Sequence, residues 1–416
     1  MSTPENTNSR LEACLREHAQ AFRAHFGDSG GPVRVFFAPG RVNLMGAHLD
    51  YNGGPVMPTA IDRGTWFAAR LRPDRRVRLA STLEPGEREC TLDQLPAHGS
   101  GHWSDYPLGV VQALSQRLGE KVGETPGAGS GASRLSGVEL LFGGNLTIGA
   151  GLSSSASICV GTALALTRLH GLELAPCDWV DLALRAERGF VGVQCGIMDP
   201  HAIGLARAGA LLWLDCRDGS HTWLPLDPAR AGIAVADTRV RRQLAQSAFN
   251  ERVAECRAAF EWLRRAQPQA GCLREIALET FESERARMPA VLARRAEHVL
   301  REVARTFEAR RALERGDLAG FGAQMTRAHE SLRTHFEVSV PQLDCLVETA
   351  TALPGVLGSR LTGAGFGGCA VILYERGAET ELRERLEGVY GARFGQLPKI
   401  ELFGGDPGPR ELLVER

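Results

Sequence analysis

Small residues fill one stretch of the sequence, which reads Gly-Ala-Gly-Leu-Ser-Ser-Ser-Ala-Ser from Gly149 to Ser157 and leads into the apolar Ile158. Small residues followed by a helix-forming run predict a tight loop whose free backbone N–H groups stand at the start of a helix. Such groups bind anions, and phosphate is the typical ligand. A Gly-x-Gly pair alone is equally typical of a structural loop. The choice between a phosphate-binding loop and a structural loop therefore depends on the other segments that contain reactive residues.

Two further segments combine glycines with ionisable residues. The segment Pro39–Gly54 brings Arg41, His48 and Asp50 close together in the sequence. Such a loop predicts either a polar pocket or a solvated turn. The turn Cys195–Asp199 ends in an acid just before a new helix, a position where Asp is most often an N-cap.

The elements that must position these segments are strands and helices in alternation. The pattern predicts helices over 11–26, 106–118, up to 169 after the glycine-serine loop, 178–190, 244–265, 298–314, 318–332 and 342–350. It predicts strands over 34–38, ending at Pro39-Gly40, then a pair over 55–61 and 65–71, and others over 138–142, 209–214, 232–236 and 370–373. The segment 123–137 has the composition of a flexible loop. This mixture indicates an α+β fold with a site between two lobes.

The size and composition of the chain exclude several classes of protein. Its 416 residues are enough for two domains, and 44% hydrophobic and 23% charged residues with a net charge of -1 are typical of a soluble globular protein. Neither a nucleic-acid-binding nor a membrane surface is indicated. The ten cysteines form no C-x-x-C pair, and neither a signal peptide nor an apolar run of membrane-spanning length is present. We therefore expect reduced thiols and a cytoplasmic protein.

Three segments taken together resemble the signature motifs of the kinase superfamily that contains galactokinase, homoserine kinase, mevalonate kinase and phosphomevalonate kinase, the GHMP kinases. They are Pro39–Gly54, Gly149–Ser157 and Leu361–Cys369. The first is similar to the galactokinase signature Gly-Arg-Val-Asn-Leu-Ile-Gly-Glu-His-Thr-Asp-Tyr-Asn-Gly-Gly. The turn Cys195–Asp199 and the segment from His329 to Ser339 also resemble galactokinases. Five motifs in the family's order make this resemblance specific.

The resemblance implies a two-domain α+β fold, the GHMP kinase fold, in which ATP and a sugar meet in the cleft between an N-terminal and a C-terminal α/β domain. On this basis we expect an N-terminal extension with an entry helix over 1–32, an N-terminal kinase domain over 33–218 and a C-terminal kinase domain over 219–416. The implied reaction is transfer of phosphate from ATP to the C1 hydroxyl of a galacto-configured sugar.

The resemblance also assigns the residues that hold ATP and Mg²⁺. The loop that wraps the ATP phosphates would consist of Gly149, Gly151, Leu152, Ser153, Ser154, Ser155 and Ala156. The third glycine motif would consist of Gly363, Gly365, Gly367 and Gly368. The Ser155 hydroxyl and the Glu187 carboxylate would hold Mg²⁺, which neutralises charge between the β- and γ-phosphates.

The catalytic pair that the resemblance implies is Arg41 and Asp199. Asp199 would accept the proton of the anomeric hydroxyl, and Arg41 would stabilise the charge on the transferring phosphoryl group. Because a neighbouring guanidinium favours the ionised carboxylate, it weakens Asp199 as a base. Asp199 therefore either acts as an early base or mainly orients the hydroxyl, and both possibilities stay open.

The sugar-binding residues that the resemblance implies are Ala47, His48, Asp50, Gly196 and Phe249, and two of them depart from the family pattern. Ala47 replaces a glutamate that binds the C6 hydroxyl, and Phe249 replaces a sugar-contacting tyrosine. Loss of a carboxylate suits a uronic acid, and Gly46-Ala47-His48 resembles the galacturonokinase branch of the family. D-Galactose and D-galacturonate both remain candidates, with Ala47 favouring galacturonate, and a 6-deoxy sugar or a pentose is also compatible.

Two other functions share parts of this pattern. A sugar sensor that binds ATP and sugar without turnover would keep the fold, but we expect it to lose part of the catalytic set, which is complete here. A homoserine or mevalonate kinase shares only the glycine loops and gives His48 and Asp50 no role. The expected partners are a small-molecule sugar and ATP, with neither nucleic acid nor membrane, and the family is usually monomeric.

Overall fold

The computed structural model describes residues 4–119, 135–146, 151–193, 195–240 and 245–415. Most of the predicted flexible loop over 123–137 lies outside these ranges. The strands in chain order are β1 (Val33–Asn43), β2 (Pro55–Val56), β3 (Pro58–Leu71), β4 (Arg76–Ser81), β5 (Arg88–Thr91), β6 (Val138–Gly144), β7 (Ala210–Asp215), β8 (His221–Pro225), β9 (Ala231–Asp237), β10 (Val356–Thr362), β11 (Cys369–Glu375), β12 (Lys399–Phe403) and β13 (Arg410–Glu415).

The predicted helices are present, with most ends within a few residues of the prediction, but α8 begins at Ala290 rather than 298, and α7 and α11 were not predicted. They are α1 (Pro4–Phe26), α2 (Asp105–Arg117), α3 (Ser154–Leu169), α4 (Pro176–Arg185), α5 (Met198–Gly204), α6 (Ala245–Leu263), α7 (Leu278–Glu284), α8 (Ala290–Glu314), α9 (Leu318–Thr334), α10 (Pro341–Thr351) and α11 (Glu379–Phe394). Within the described ranges, no helix is long and apolar enough to cross a membrane.

A six-stranded sheet organises the first half of the chain, with the order β13-β1-β3-β6-β4-β5. Successive side chains of a strand point to opposite faces, so β1 contributes to two cores. Phe36 packs in the cluster that α2, α3 and α4 share with one face of the sheet. Val35 packs with Phe22 of α1 on the other face. Both faces of this sheet are therefore covered, which holds the end of β1 in a fixed position.

Two smaller sheets complete the fold: a four-stranded sheet with the order β10-β11-β9-β12 and a three-stranded sheet with the order β2-β7-β8. Helices α8 and α9 pack together, and α9 and α10 cover β10. Leu44 and Met45, just after β1, share a buried cluster with Met325 of α9 and Val371 of β11. The segment that follows β1 is thus embedded between the two halves of the chain, which confirms the two-domain α+β class.

Two strand predictions are wrong in an instructive way. The first strand does not end at Pro39-Gly40 but continues to Asn43, and the segments 55–61 and 65–71 are not a strand pair but lie mainly in the single strand β3. The register of β1 against β3 shifts at Pro39, where Gly64 and Ile61 face successive residues of β1. Asp62 and Arg63 are therefore an inserted bulge inside β3. Because these two residues are polar, the sequence pattern predicts two strands where the structure has one.

The division of the chain after residue 218 stays a prediction, and one strand crosses it. The last strand, β13, pairs antiparallel with β1 of the first sheet. Arg34 of β1 reinforces this pairing, because its guanidinium donates two hydrogen bonds of 2.7 Å to the Glu411 carboxylate. The end of the chain is thus part of the N-terminal sheet.

Candidate active site

Arg41 and Asp199 form the centre of the site. Arg41 lies near the end of β1, and Asp199 lies in the first turn of α5. Nε and Nη2 of Arg41 donate to the two carboxylate oxygens of Asp199 at 2.8 and 2.7 Å. The Arg41 side chain is buried, whereas Asp199 keeps 30% of its side chain exposed. The N-cap interpretation of Asp199 is wrong, because Ile197 holds the cap position of α5.

The glycine-serine loop also contacts this pair. Nη1 of Arg41 donates to the carbonyl oxygen of Gly151 at 2.6 Å, and the Ser153 hydroxyl donates to Oδ2 of Asp199 at 2.5 Å. Ser153 has a φ of +61°, in the left-handed region that disfavours side chains. The hydroxyl bond to Asp199 offsets the cost of this conformation. Gly149, predicted in the same loop, lies outside the described residues.

The rest of the loop divides between the core and a cavity. Leu152 and Ala156 are buried in the hydrophobic clusters, and α3 begins at Ser154. Ser154 and Ser155 line a cavity whose other walls are mainly apolar: Leu83, Trp103, Tyr106, Phe142, Leu146 and Ile158. A cavity of this composition at a helix N-terminus can hold a flat apolar ring with an attached phosphate chain.

Glu187 lies beside this loop in an unusual helical turn. The helix predicted over 178–190 changes at Arg185 into a wider π-helical turn, Ala186–Val191, a feature that often marks functional sites. The Glu187 side chain is buried and accepts hydrogen bonds from the Ser155 hydroxyl and the Cys195 thiol. Burial, followed by the nearby negative charge of Asp199, raises the pKa of Glu187 to about 7.

The donor set at Glu187 fits Mg²⁺. Within the described residues no salt bridge pairs this carboxylate, which is only 3% exposed, and the nearby charge of Arg188 offsets the effect of burial only in part. A buried carboxylate without a basic partner is costly, and a cation would remove that cost. Carboxylate and hydroxyl oxygens are hard ligands, and Mg²⁺ takes few protein ligands because it keeps waters and phosphate oxygens. Ser155 and Glu187 therefore suit the role predicted for them.

A second cavity collects the predicted sugar-binding residues. Its walls include Arg41, Ala47, His48, Asp50, Gly196, Asp199, Phe249 and Gly363. Asp50 approaches Gly196 so closely that a Cβ on Gly196 would lie 2.1 Å from Oδ2 of Asp50. Only glycine leaves room for the carboxylate. Burial and then the charge of Asp199 raise the pKa of Asp50 to about 6.

An aromatic group forms one wall of this cavity. His48 has a φ of +58°, and its Nδ1 lies 2.9 Å from the Tyr51 hydroxyl. Burial, with the positive charges of Arg360 and Arg252, lowers the pKa of His48 to about 3, so the ring is neutral. Phe249 packs its ring against both His48 and Tyr51. The sequence assigned no role to Tyr51, although it lies inside the first motif.

Ala47 is held through its backbone rather than through its methyl group. Oε1 of Glu302 accepts hydrogen bonds from the N–H groups of Gly46 and Ala47 at 3.3 and 3.2 Å. Nε2 of His298 lies 3.2 Å from the carbonyl oxygen of Ala47. Glu302 and His298 both belong to α8, far along the chain. The sequence assigns them no role, because the apolar periodicity of this segment predicts only a helix that packs on the core.

The third glycine motif connects β10 with β11 and has two functions in the fold. Gly363 lines the polar cavity beside Thr362. Gly365 has a φ of +81°, and a Cβ there would lie 2.4 Å from the carbonyl oxygen of Val338. Gly367 and Gly368 also have positive φ, and the carbonyl oxygen of Gly368 accepts from Thr238. The motif thus shapes the turn, and only its first glycine reaches the cavity.

Arg360, just before this motif, is another residue that the sequence did not single out. It is almost fully buried, lines the polar cavity, and donates to the carbonyl oxygens of Leu44, Leu361 and Asn43. Oδ1 of Asn43, also in this wall, has no hydrogen-bond partner within the described residues. The cavity therefore combines carboxylates, a neutral histidine and an open amide oxygen, groups that suit a polyhydroxylated ligand.

Comparisons with protein families match three parts of the chain. A family described as galactokinase galactose-binding signature matches residues 20–71. The families described as GHMP kinases N terminal domain and GHMP kinases C terminal match residues 105–207 and 309–392. These matches include the end of β1, the glycine-serine loop with Asp199, and the third glycine motif.

Curated relatives and solved structures extend the similarity over almost the whole chain. A galactokinase of Roseiflexus sp. (strain RS-1) is 40% identical over 92% of this chain and 94% of its own. A galactokinase of Exiguobacterium sibiricum is 40% identical over 86% and 87%. The crystal structure of Lactococcus lactis galactokinase complexed with galactose matches 97% of this chain and 100% of its own, with a TM-score of 0.86 and 34% identity. Methanococcus jannaschii mevalonate kinase shares the fold with a TM-score of 0.63 and 18% identity over 91% of this chain and 100% of its own.

Proposed function

The chain belongs to the galactokinase family of GHMP kinases, and we propose that it transfers the γ-phosphoryl group of ATP to the C1 hydroxyl of D-galactose. The observation that carries this proposal is the bidentate pair of Arg41 and Asp199. The pair stands at the wall of a polar cavity and contacts the phosphate-loop candidate through Gly151 and Ser153. Donor and acceptor sites of a phosphoryl transfer would meet at this point.

The sugar would bind in the polar cavity. Asp50 and Asp199 offer carboxylate oxygens to sugar hydroxyl groups, and His48 offers a neutral ring nitrogen. The Asp199 carboxylate already accepts hydrogen bonds from Arg41 and Ser153, which fix its orientation toward the cavity. Because phosphoryl transfer depends mostly on positioning and electrostatics, we propose that Asp199 orients the C1 hydroxyl and takes its proton late.

The nucleotide would bind on the other side of Asp199. The adenine ring suits the apolar cavity lined by Trp103 and Tyr106, and the phosphates suit the start of α3. The Arg41 guanidinium is positioned to stabilise charge on the phosphoryl group. We propose that Ser155 and Glu187 hold Mg²⁺, which supplies charge neutralisation on the phosphates when bound.

The surroundings of Ala47 favour a neutral sugar over a uronate. The two arginines in the cavity wall are already engaged, Arg41 by Asp199 and Arg360 by three carbonyl oxygens. The Glu302 carboxylate lies directly behind the Ala47 amide. Arg305 pairs with this carboxylate, and the described residues that line the cavity include no further arginine or lysine that could pair with a sugar carboxylate. These contacts support D-galactose, and D-galacturonate becomes the less favoured alternative.

The experiment that tests this function measures ADP formation with a panel of sugars: D-galactose, D-galacturonate, 6-deoxy-D-galactose and L-arabinose. We expect the highest kcat/KM with D-galactose. A higher value with D-galacturonate would restore the uronate assignment. If a sugar bound but none of the four sugars led to ADP formation, the sugar sensor would be favoured. No contact among the described residues supports that alternative.

We also propose that the protein acts as a monomer in the cytoplasm. The family resemblance favours a monomer, and the ten cysteines are free thiols, which a reducing compartment preserves. Light scattering at the concentrations used for the kinetics measures the molar mass. A dimer mass would contradict the first part of this proposal.

A further inference from the structure

The short segment Gly46–Ala47 is buried without a secondary structure of its own. It follows β1 closely, and Ala47 is only 4% exposed. Gly46 has a φ of +83°, and a Cβ there would lie 2.3 Å from the carbonyl oxygen of Pro55. Buried backbone groups must be hydrogen-bonded. Strand β2 lies beside the segment, but it does not supply the partners of the Gly46 and Ala47 amide groups. The partners come from α8.

Glu302 of α8 satisfies both amide groups with one oxygen atom. Its Oε1 accepts from Gly46 N–H and Ala47 N–H, and its Oε2 accepts from Nε of Arg305 at 2.7 Å. The Glu302 side chain is completely buried. A buried carboxylate that is fully bonded in this way fixes the position of its partners, since charge-assisted hydrogen bonds are the stronger ones.

His298, one turn before Glu302 on α8, holds the same segment from the carbonyl side. Its Nδ1 lies 2.9 Å from the Ser331 hydroxyl and its Nε2 3.2 Å from Ala47 O. Its ring also packs on Phe336 with a centroid distance of 4.5 Å, and Phe336 packs on His48 at 4.7 Å. Helix α8 therefore fixes both the backbone of Ala47 and, through Phe336, the ring of His48.

We propose that Glu302 and His298 are positioning residues for sugar recognition, which hold the Gly46–His48 segment in its binding conformation before any sugar arrives. Only the kinetic test of this proposal depends on the proposed function. It places part of the sugar specificity on a helix that contributes no residue to the described walls of the polar cavity. Preorganisation of this kind lowers the cost of ordering the segment on binding.

Kinetics of matched variants test the proposal. Glu302→Leu removes the acceptor, Glu302→Gln keeps one oxygen, and His298→Phe keeps the ring packing without the polar contact. We expect the KM for galactose to rise about tenfold in Glu302→Leu and His298→Phe and less in Glu302→Gln, with the KM for ATP within about twofold of wild type. Glu297→Gln on the same helix is the control, because Glu297 is also buried but pairs with Arg285 and Arg301.

A purely structural role would give a different result. The melting temperature would fall while the KM values for both substrates stayed at the wild-type values, and this outcome would overturn the proposal. Parallel rises of both KM values would overturn it as well, since they would show a general loss of the cleft.

Hydrogen–deuterium exchange of the wild-type protein gives a second test that needs no variant and no turnover. We expect the peptide containing Gly46 and Ala47 to be protected without sugar and to gain little protection when galactose is added. Fast exchange in the sugar-free protein would show that the sugar orders the segment, and would refute the proposal. If the protein failed to phosphorylate any sugar while this peptide was protected, only the proposed function would fail.

Discussion

At the scale of single residues, we propose that turnover depends most on Asp199. It combines a bidentate bond to Arg41 with a hydroxyl bond from Ser153 and a partly exposed carboxylate. We expect Asp199→Asn to lower kcat by at least about 100-fold, because the amide cannot take the proton and holds Arg41 less well. Galactose affinity, measured by calorimetry, should stay within about fivefold. A kcat near that of wild type would remove Asp199 from the mechanism.

Ala47 and Phe249 line the polar cavity, and we propose that they determine how strongly activity depends on the hydroxyl groups of the sugar. The family resemblance places Ala47 near C6, where its methyl group accepts no hydrogen bond. We therefore expect 6-deoxy-D-galactose to be phosphorylated with a kcat/KM within about tenfold of that for galactose. In Ala47→Glu the ratio of the two kcat/KM values should shift toward galactose. An unchanged ratio would show that Ala47 does not lie against C6.

The raised pKa of Asp50 predicts a pH dependence. Asp50 must be ionised to accept two sugar hydroxyl groups, and its pKa in the free protein is about 6. Since kcat/KM reports the free enzyme, it should fall as the pH drops through about 6. The profile of kcat/KM for galactose against pH, measured at a saturating concentration of ATP, checks this expectation. A flat profile down to pH 5 would contradict it, and Asp50→Asn should have low activity at every pH.

At the scale of elements, the wide helical turn Ala186–Val191 buries the carboxyl group of Glu187, the proposed metal ligand, and its negative charge destabilises the metal-free protein. The folded-state pKa of Glu187 is about 7, above its ordinary value of 4.5, so the folded state holds the proton more tightly between these values. Stability of the metal-free protein therefore falls as the pH rises from about 4.5 to 7, and the full cost is present above pH 7.

Glu187→Gln should remove this cost. We expect the metal-free variant to be more stable than wild type at pH 8 by about 1–3 kcal/mol, with the difference shrinking toward pH 5. The same variant should need more Mg²⁺ for half-maximal activity, since the carboxylate ligand is lost. Urea unfolding at the two pH values, with chelator present, measures the stability. Lower stability of the variant at pH 8 would contradict the interpretation.

The sequence predicts most elements and the identity of the site, because its motifs are local. The loop before α3 and the third glycine turn can be recognised from small residues and from the apolar run that follows each. The sequence predicts a loop at Arg41, however, whereas this residue lies in strand β1. The bulge at Asp62 and Arg63, which lets β1 and β3 continue, depends on pairing between strands and leaves only a turn-like signal in the sequence.

The contacts that complete the site are the part that the sequence could not supply. Glu302 and His298 lie on a helix whose apolar periodicity gives no hint that two polar side chains point inward to a distant loop. The burial of Glu187 is another example, because the wider turn after Arg185 that contains it leaves no local signal in the sequence. Such positions follow from how helices pack on loops, which no local pattern encodes.

At the scale of the whole molecule, the C-terminal strand ties the two halves together. β13 forms the edge of the first sheet beside β1, the strand that carries Arg41. We expect deletion of residues 410–416 to expose this edge, lower the melting temperature by at least about 5 °C and reduce activity, because β1 loses a row of hydrogen bonds. Calorimetry should show one transition in the full chain. Unchanged melting after the deletion would show that the pairing with β13 contributes little.

The central claim is that the cleft around Arg41 and Asp199 phosphorylates the anomeric hydroxyl of galactose. The most direct measurement is phosphorus and proton NMR of the reaction of the full-length protein with ATP, Mg²⁺ and D-galactose. We predict one sugar phosphate whose phosphorus couples to H1, formed in equal amount to ADP, and almost no product with Asp199→Asn. Phosphate on another carbon, or ADP formation with release of inorganic phosphate and no sugar phosphate, would contradict the claim.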